Sequence, residues 1–181
     1  MWNRTRAIRK DITQQRLCDI KTVTVLETIA RFHIFSAYHL TGSANFEQKY
    51  NNENLEKTLT SLRHLYDDLS SGEETCKNEA EFRMYHILLN LNSGVVLRDV
   101  SYLPLNILNS SYVRYALCCY NTYNTKNFVR FFKLFQKGPL LASCIMYRYI
   151  NNIRQKALVA IINSNTTPSR TPGSGAGVDY P

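Results

Sequence analysis

The residue types that most often do chemistry in proteins are scattered through this sequence. None of its four histidines lies in a His-Glu-x-x-His pair or beside a Cys-x-x-Cys motif, and the adjacent Cys118 and Cys119 are poorly spaced for a metal ion. The sequence contains no glycine-rich loop that would cradle a phosphate group. Carboxylate pairs such as Asp67-Asp68 fall where we expect solvated helix ends. We therefore predict no catalytic residue, metal site, cofactor or small-molecule substrate, and a protein that is not an enzyme.

The five cysteines indicate a reducing compartment. Their odd number and irregular spacing are not typical of a disulfide framework, and we expect most of them to be small core residues. No apolar run reaches the length of a membrane span, so no membrane association is predicted. The N-terminus lacks the apolar block of a secretory signal. It is rich in arginine, which leaves a mitochondrial presequence as an alternative.

Charge is segregated along the chain, whose formal net charge is +8. The first sixteen residues are basic, residues 47–81 are acidic on balance, and no acidic residue lies between Val100 and Val178. Such segregation favours a polyanionic or acidic partner at the two basic ends, although an ordinary solvated face remains the alternative. The candidate binding residues are Arg4, Arg6, Arg9, Lys10, Lys126, Arg130, Lys133, Lys137 and Arg154.

The segment from Lys126 to Lys137 has the clearest amphipathic pattern. Four phenylalanines recur at i, i+3, i+4 and i+7, which places them on one side of a helix. The cations of the segment recur at i, i+4, i+7 and i+11 on the opposite side. We predict a helix whose aromatic side packs in the core and whose cationic side is free for a partner. Gly138-Pro139 would end it.

A second segment, Asn78 to Gly94, predicts the central helix of the fold. Its apolar side chains cover most of the helix circumference, which requires neighbours on every side. Asn78 and Glu81 have the spacing of a capping box, and Gly94 could supply a left-handed stop.

The remaining pattern is helical throughout. Further helices are predicted over about 22–40, 52–69, 95–103, 111–123 and 140–163, with turns between them and no strand pattern. Residues 1–20 form a basic N-terminal arm, helical around Ile8 and Ile12. Residues 21–163 form one helical domain, and residues 164–181 read as a disordered tail. The predicted fold is all-α, with seven or eight helices arranged as stacked helical hairpins of the TPR-like type.

These residues resemble a known family, the GANP and yeast Sac-three family, and in particular its insect Xmas-type members. The resemblance begins with the run Arg-Thr-Arg-Ala-Ile-Arg-Lys-Asp-Ile-Thr-Gln-Gln at residues 4–15 and continues in order over about 160 residues. The further segments are Phe46, Asn51 to Leu55, Ser61-Leu62, Tyr66 to Leu69, Glu79 to Phe82, Leu88 to Leu91, Asn127 to Leu134, Tyr149 and Asn152 to Arg154.

The resemblance implies a PCI-type superhelix followed by a winged helix, in a scaffold subunit of the TREX-two complex. That assembly couples transcription to mRNA export at the nuclear pore. The implied partners are a second PCI-domain protein and a small acidic protein of the Dss/Sem type. The implied location is the nucleus and nuclear envelope, with the cytoplasm also open. A shorter relative linked to centrosomes and spindles provides one alternative function, and direct RNA binding through the basic arm and the basic helix stripe provides another.

The sequence departs from the family pattern after the last helix. A Ser/Pro/Gly tail stands where the winged helix would follow, so we expect the winged helix to be missing and RNA binding to be weak. A truncated product or splice form that holds only the helical half would fit this pattern. The last helix would then expose apolar surface that a winged helix would otherwise cover.

Overall fold

The computed structural model describes residues 2–70 and 76–165, and every regular element in that part of the chain is an α-helix. The prediction of an all-α fold is confirmed. Nine helices follow one another in these ranges, whereas seven or eight were predicted, because Leu105–Leu108 forms a short extra turn of helix after Pro104. The helices are α1 Trp2–Gln15, α2 Ile20–His39, α3 Gln48–Leu69, α4 Glu79–Leu89, α5 Val95–Ser101, α6 Leu105–Leu108, α7 Ser111–Asn124, α8 Phe128–Lys137 and α9 Leu140–Asn165.

Short polar side chains begin three of the helices. Asp19 accepts a hydrogen bond from the backbone N–H of Thr22 at 2.8 Å and starts α2. Ser110 starts α7 and Asn127 starts α8 in the same way, each through the N–H three residues on. Each cap satisfies a backbone donor that has no partner within its own helix. Gly42, at φ 86°, provides the left-handed turn that the break between α2 and α3 requires.

Helix α4 is the central helix that the sequence predicts. It packs against α3, α6, α7 and α9, and its side chains from Phe82 to Leu89 are buried apart from His86. The hydroxyl of Tyr149 on α9 donates to the carbonyl oxygen of Leu89 at 2.6 Å and ties the last helix to the end of the central one. Burial of apolar side chains around α4 therefore supplies the common core of the described helices.

The predicted start of this central helix is confirmed, with Asn78 at the N-cap, but its capping box and its end at Gly94 are wrong. Asn78 makes no side-chain cap and instead donates from Nδ2 to Oε2 of Glu27 on α2, at 2.8 Å. Glu81 does not complete a capping box, because its carboxylate pairs with Arg31 at 2.8 Å. Gly94, at φ −69°, precedes α5 and lies five residues beyond Leu89, the last residue of α4. Tertiary partners on α2 have taken the two side chains that local capping would have used.

The corner between α8 and α9 depends on close packing. The hydroxyl of Tyr115 on α7 donates to the carbonyl oxygen of Leu134 on α8 at 3.0 Å. A Cβ placed on Gly138 would lie 2.1 Å from that hydroxyl oxygen, so a larger residue would push Tyr115 out of its place. Gly138 has an ordinary φ of −74°. The helix therefore ends at a glycine because another side chain needs the space, and not because of a left-handed turn.

The structure extends α9 by two residues beyond its predicted end, to Asn165. The predicted disordered tail otherwise lies outside the described residues. Among the described helices, none combines the length and the apolar composition that crossing a membrane would require.

Candidate docking surfaces

Two of the five thiols lie in surroundings that suppress their reactivity. Cys119 on α7 and Cys144 on α9 are buried, whereas Cys76 and Cys118 are half-buried and Cys18 is exposed, so the expectation that most cysteines are core residues is wrong. Burial raises the pKa of Cys119 to about 12 and also raises the pKa of Cys144, so both are protonated near neutral pH. Within residues 2–70 and 76–165, no group of three histidine, cysteine or carboxylate side chains is arranged to hold a metal ion.

Two carboxylates, Glu27 and Asp67, join helices of the fold. Glu27 on α2 is 4% exposed and accepts hydrogen bonds from the Tyr66 hydroxyl at 2.9 Å and from Asn78. Burial, followed by the nearby Glu27 charge, raises the pKa of Tyr66, which keeps the phenol protonated as the donor. Arg83 on α4 binds Asp67 of α3 at 2.5 Å. These contacts join α2, α3 and α4.

Helix α1 lies against α2 and α3 and is not an extended arm. The indole Nε1 of Trp2 donates to Oδ1 of Asn51 on α3 at 3.1 Å, and its ring packs against Phe46 with centroids 5.4 Å apart. Thr5 of α1 is buried, and its Oγ1 lies 3.3 Å from Nε2 of His33. These three contacts fix the position of the basic residues of α1.

The buried amide of Asn51 organises this attachment. Its Nδ2 donates to the carbonyl oxygen of His33 at 2.9 Å, so its Oδ1 faces Nδ1 of His33 at 2.7 Å. Since a carboxamide oxygen only accepts, Nδ1 of His33 carries the proton. Burial lowers the pKa of His33. The hydrogen bond to Asn51 raises this pKa but does not cancel the effect of burial. A neutral imidazole therefore links α2 to α1 and α3.

A groove between α1 and α3, which we call the α1–α3 groove, collects the cations of α1. Its cavity measures about 370 Å³. Arg9 is half-buried there, and Nη1 of Arg6 donates to the Tyr50 hydroxyl at 3.0 Å. Burial lowers the pKa of Arg9, and the nearby charge of Arg6 lowers it further. The lining residues are Arg6, Arg9, Lys10, Tyr50, Glu53, Asn54 and Lys57.

The four groove residues on α3, Tyr50, Glu53, Asn54 and Lys57, were missed by the sequence reasoning. Lys57 lies in the segment that is acidic on balance, and Tyr50 carries no charge. The helical periodicity of α3 would have identified these residues, because positions 50, 53, 54 and 57 recur on one helical face. Arg4, a predicted candidate, is exposed on α1 but does not line the groove.

A second cavity of about 270 Å³, the Trp2 cleft, adjoins the groove through their shared residue Tyr50. Trp2 and Phe46 form its aromatic walls, and the Asn51 amide holds the indole in place. The cleft is lined by Trp2, Asn3, Asn45, Phe46, Glu47, Tyr50 and Asn51.

The cationic side of α8, which we call the α8 surface, has a different shape. Arg130, Lys133 and Lys137 are exposed along the helix, while Phe131 is 1% exposed and packs in the core with the other phenylalanines. The predicted division of this helix into an aromatic core side and a cationic outer side is confirmed. Neighbouring cations on one convex face are free to bind a polyanion.

Two of the predicted cations do not belong to the α8 surface. Lys126 precedes the helix in a left-handed conformation, at φ 56°, so the predicted helix start is wrong by two residues. It lines a cavity of about 160 Å³ together with Lys156 of α9. Arg154 is exposed on α9 beside Ile153, which lines the same cavity.

The C-terminal half of α9 exposes apolar side chains, as the sequence led us to expect. Leu158, Val159, Ile161 and Ile162 are each more than half exposed. By contrast, Ile150 and Ile153 earlier in the same helix are buried against the core.

The geometry defines a class of protein: an all-α, helical-hairpin body that presents separate cationic surfaces on α1 and α8. Residues 1–174 match the model of the SAC3/GANP family. The chain belongs to the SAC3/GANP family, which confirms the resemblance seen in the sequence.

Individual relatives agree. The chain is 38% identical to "Protein xmas" of Drosophila melanogaster over 99% of its own length and 9% of that protein. It is 33% identical to SAC3 family protein 1 of Schizosaccharomyces pombe and 30% identical to SAC3 family protein B of Arabidopsis thaliana, over 88% and 89% of this chain. It spans 18% and 10% of those two proteins, so it corresponds to a small part of each relative's length.

Proposed function

We propose that this chain is a protein-binding scaffold of nuclear mRNA export, acting as the helical subunit, or part of it, in a complex of the TREX-two type. The observation that supports this most is the family match over residues 1–174. The fold adds a physical reason, because stacked helices offer a rigid, extended surface for several partners. The proposed location is the nucleus and the nuclear pore.

The proposed partners are a second PCI-domain protein and a small acidic protein of the Dss/Sem type. Charge supports the second partner, because the exposed cations of α1 and α8 complement an acidic chain. The exposed apolar half of α9 supports a further helical or winged-helix contact, because a monomer rarely leaves such a patch uncovered.

Affinity purification of the tagged full chain from nuclear extract, followed by mass spectrometry, tests this proposal. We expect a second PCI-domain protein to be recovered at moderate salt and to elute with the chain from a sizing column. A preparation whose recovered proteins include no mRNA-export factor, from extract in which such factors are detected, would contradict the proposal.

RNA binding through the α8 surface is the second candidate, and the exposure of Arg130, Lys133 and Lys137 favours it. An RNA binder should lose affinity steeply as salt rises, with a log–log slope that decreases by about one for each contacting cation removed. We would measure binding of a uridine oligonucleotide to the full chain and to the triple variant Arg130→Glu, Lys133→Glu, Lys137→Glu. An unchanged slope in the variant would rule out this surface as the RNA site.

A further inference from the structure

The α1–α3 groove concentrates positive charge that the fold leaves uncompensated. Four cations line it, and Glu53 is the one carboxylate among its described lining residues. Within the described ranges, none of these four cations forms an ion pair with a carboxylate. Elsewhere Arg31, Arg63 and Arg83 each bind a carboxylate. A bound anion would relieve the repulsion that the structure builds into this groove.

The donors suit a phosphoryl group. Two guanidinium groups offer fork-shaped pairs of N–H donors, and Lys10 and Lys57 add two ammonium groups. The Arg6 guanidinium is held by the Tyr50 hydroxyl at 3.0 Å, which reduces the freedom that it would lose on binding. A phosphoryl group brings nearly two negative charges and three acceptor oxygens, and a carboxylate brings one charge and two oxygens. Because four cations and a single carboxylate, Glu53, line the groove, it favours the more highly charged phosphoryl group.

The neighbouring Trp2 cleft indicates what is attached to the phosphate. It is open to solvent beside an aromatic wall, and its lining also includes the polar side chains of Asn3, Asn45, Glu47 and Asn51. Nucleic-acid bases would need an open ring face on which to stack. The Trp2 ring is flanked by Phe46 and Phe32, with centroids 5.4 and 6.2 Å away, and the Tyr50 ring lies beside the Arg6 guanidinium. The cleft therefore suits an inserted apolar side chain better than a stacked base.

We propose that the α1–α3 groove binds a phosphorylated, extended segment of a partner protein. The phosphoryl group lies among Arg6, Arg9, Lys10 and Lys57, and an aromatic side chain about two residues away enters the Trp2 cleft across Tyr50. Phosphorylation of the partner thus controls its attachment to the scaffold. This inference rests on the proposed scaffold function for its biological setting, but binding to the groove is measured independently of it.

The test is a fluorescence-anisotropy titration of the full chain with a short labelled peptide that carries phosphoserine two residues before phenylalanine, in a Gly/Ser background. We expect Lys10→Glu with Lys57→Glu to weaken binding at least about tenfold. Both lysines are exposed, so the fold is retained, which circular dichroism checks. The matched control, Lys133→Glu with Lys137→Glu, makes the same change in net charge on the α8 surface and should alter binding less than about twofold.

Two further peptides test the two halves of the proposal. The unphosphorylated peptide should bind at least about tenfold more weakly, and replacing its phenylalanine by alanine should also weaken binding. Equal binding of the serine and phosphoserine peptides, or equal losses in the two double variants, would overturn the phosphate site. Equal binding of the phenylalanine and alanine peptides would overturn the role of the Trp2 cleft.

RNA binding is the competing interpretation, and a uridine oligonucleotide of similar charge tests it. If it binds the groove more tightly than the phosphopeptide and loses that binding in Lys10→Glu with Lys57→Glu, the groove is an RNA site and the proposal is wrong. Failure of the phosphopeptide leaves the co-purification test of the scaffold function unaffected, because that test depends on intact partners. The two proposals can therefore fail separately.

Discussion

The α1–α3 groove and the α8 surface carry similar charge but have opposite shapes. In the groove, cations from two helices converge on a cavity of about 370 Å³ beside aromatic side chains. On α8, the cations lie along one convex helix whose phenylalanines face the core. A convex row of cations gives long-range attraction that salt screens, while a concave cluster can surround one group with several donors. The comparison shows that charge segregation locates basic regions, whereas shape decides what each can recognise.

The largest effect should come from removing the core anchor of the α8 surface. Phe131 is 1% exposed, so Phe131→Ala should lower the free energy of unfolding by about 3–5 kcal/mol through lost burial and a cavity. Urea denaturation of the full chain measures it. Val129→Ala on the same helix is the control, since Val129 is 68% exposed and should change stability by less than about 0.5 kcal/mol. Similar losses in both variants would mean that α8 is not held by its phenylalanine side.

A smaller effect should follow from removing the polar anchor of the groove. Asn51→Ala leaves the Nδ1–H of His33 and the Nε1–H of Trp2 without their acceptor, at a cost of about 2–3 kcal/mol. Trp2 is the sole tryptophan of the sequence, so its fluorescence reports on α1 directly. We expect a shifted emission and faster tryptic cleavage in α1, with α8 protected as before. The neighbouring Asn52→Ala is the control, and unchanged α1 cleavage in Asn51→Ala would contradict this account of the attachment.

The smallest effect concerns pH, to which the two regions should respond differently. Burial lowers the pKa of His33 below the ordinary 6.5, so the unfolded chain binds a proton at a pH where the folded chain does not. Stability is therefore lost as pH falls through about 6.5, and α1 should loosen as the imidazole of His33 is protonated. Burial lowers the pKa of His86 on α4 in the same direction, so the test must isolate α1.

Trp2 fluorescence between pH 7.5 and 5.5 would follow the loosening of α1. The transition should disappear in His33→Gln and persist in His39→Gln, since His39 is exposed at the end of α2. A transition that persists in His33→Gln would assign the pH response to another group.

Much of the secondary structure follows from local patterns. The apolar spacing of α2 and the two faces of α8 each predict the element that forms. The side-chain contacts at the start of α4 could not be predicted in this way. Asn78 and Glu81 have the spacing of a capping box, but partners from α2 bind both side chains. A distant partner that is brought close by folding competes with the local contact, and the local pattern carries no information about it.

The candidate site could likewise be predicted only in part from the sequence. The all-α class, the family and the basic character of both ends follow from the sequence alone, because periodicity, motif order and charge are properties of the chain. Tertiary structure decided that Lys57 and Tyr50 join the cations of α1, that Lys126 leaves the α8 row, and that Glu27 is used in the core. Packing α1 onto α3 brings together residues about fifty positions apart, and only that packing creates a cavity from two separate helices.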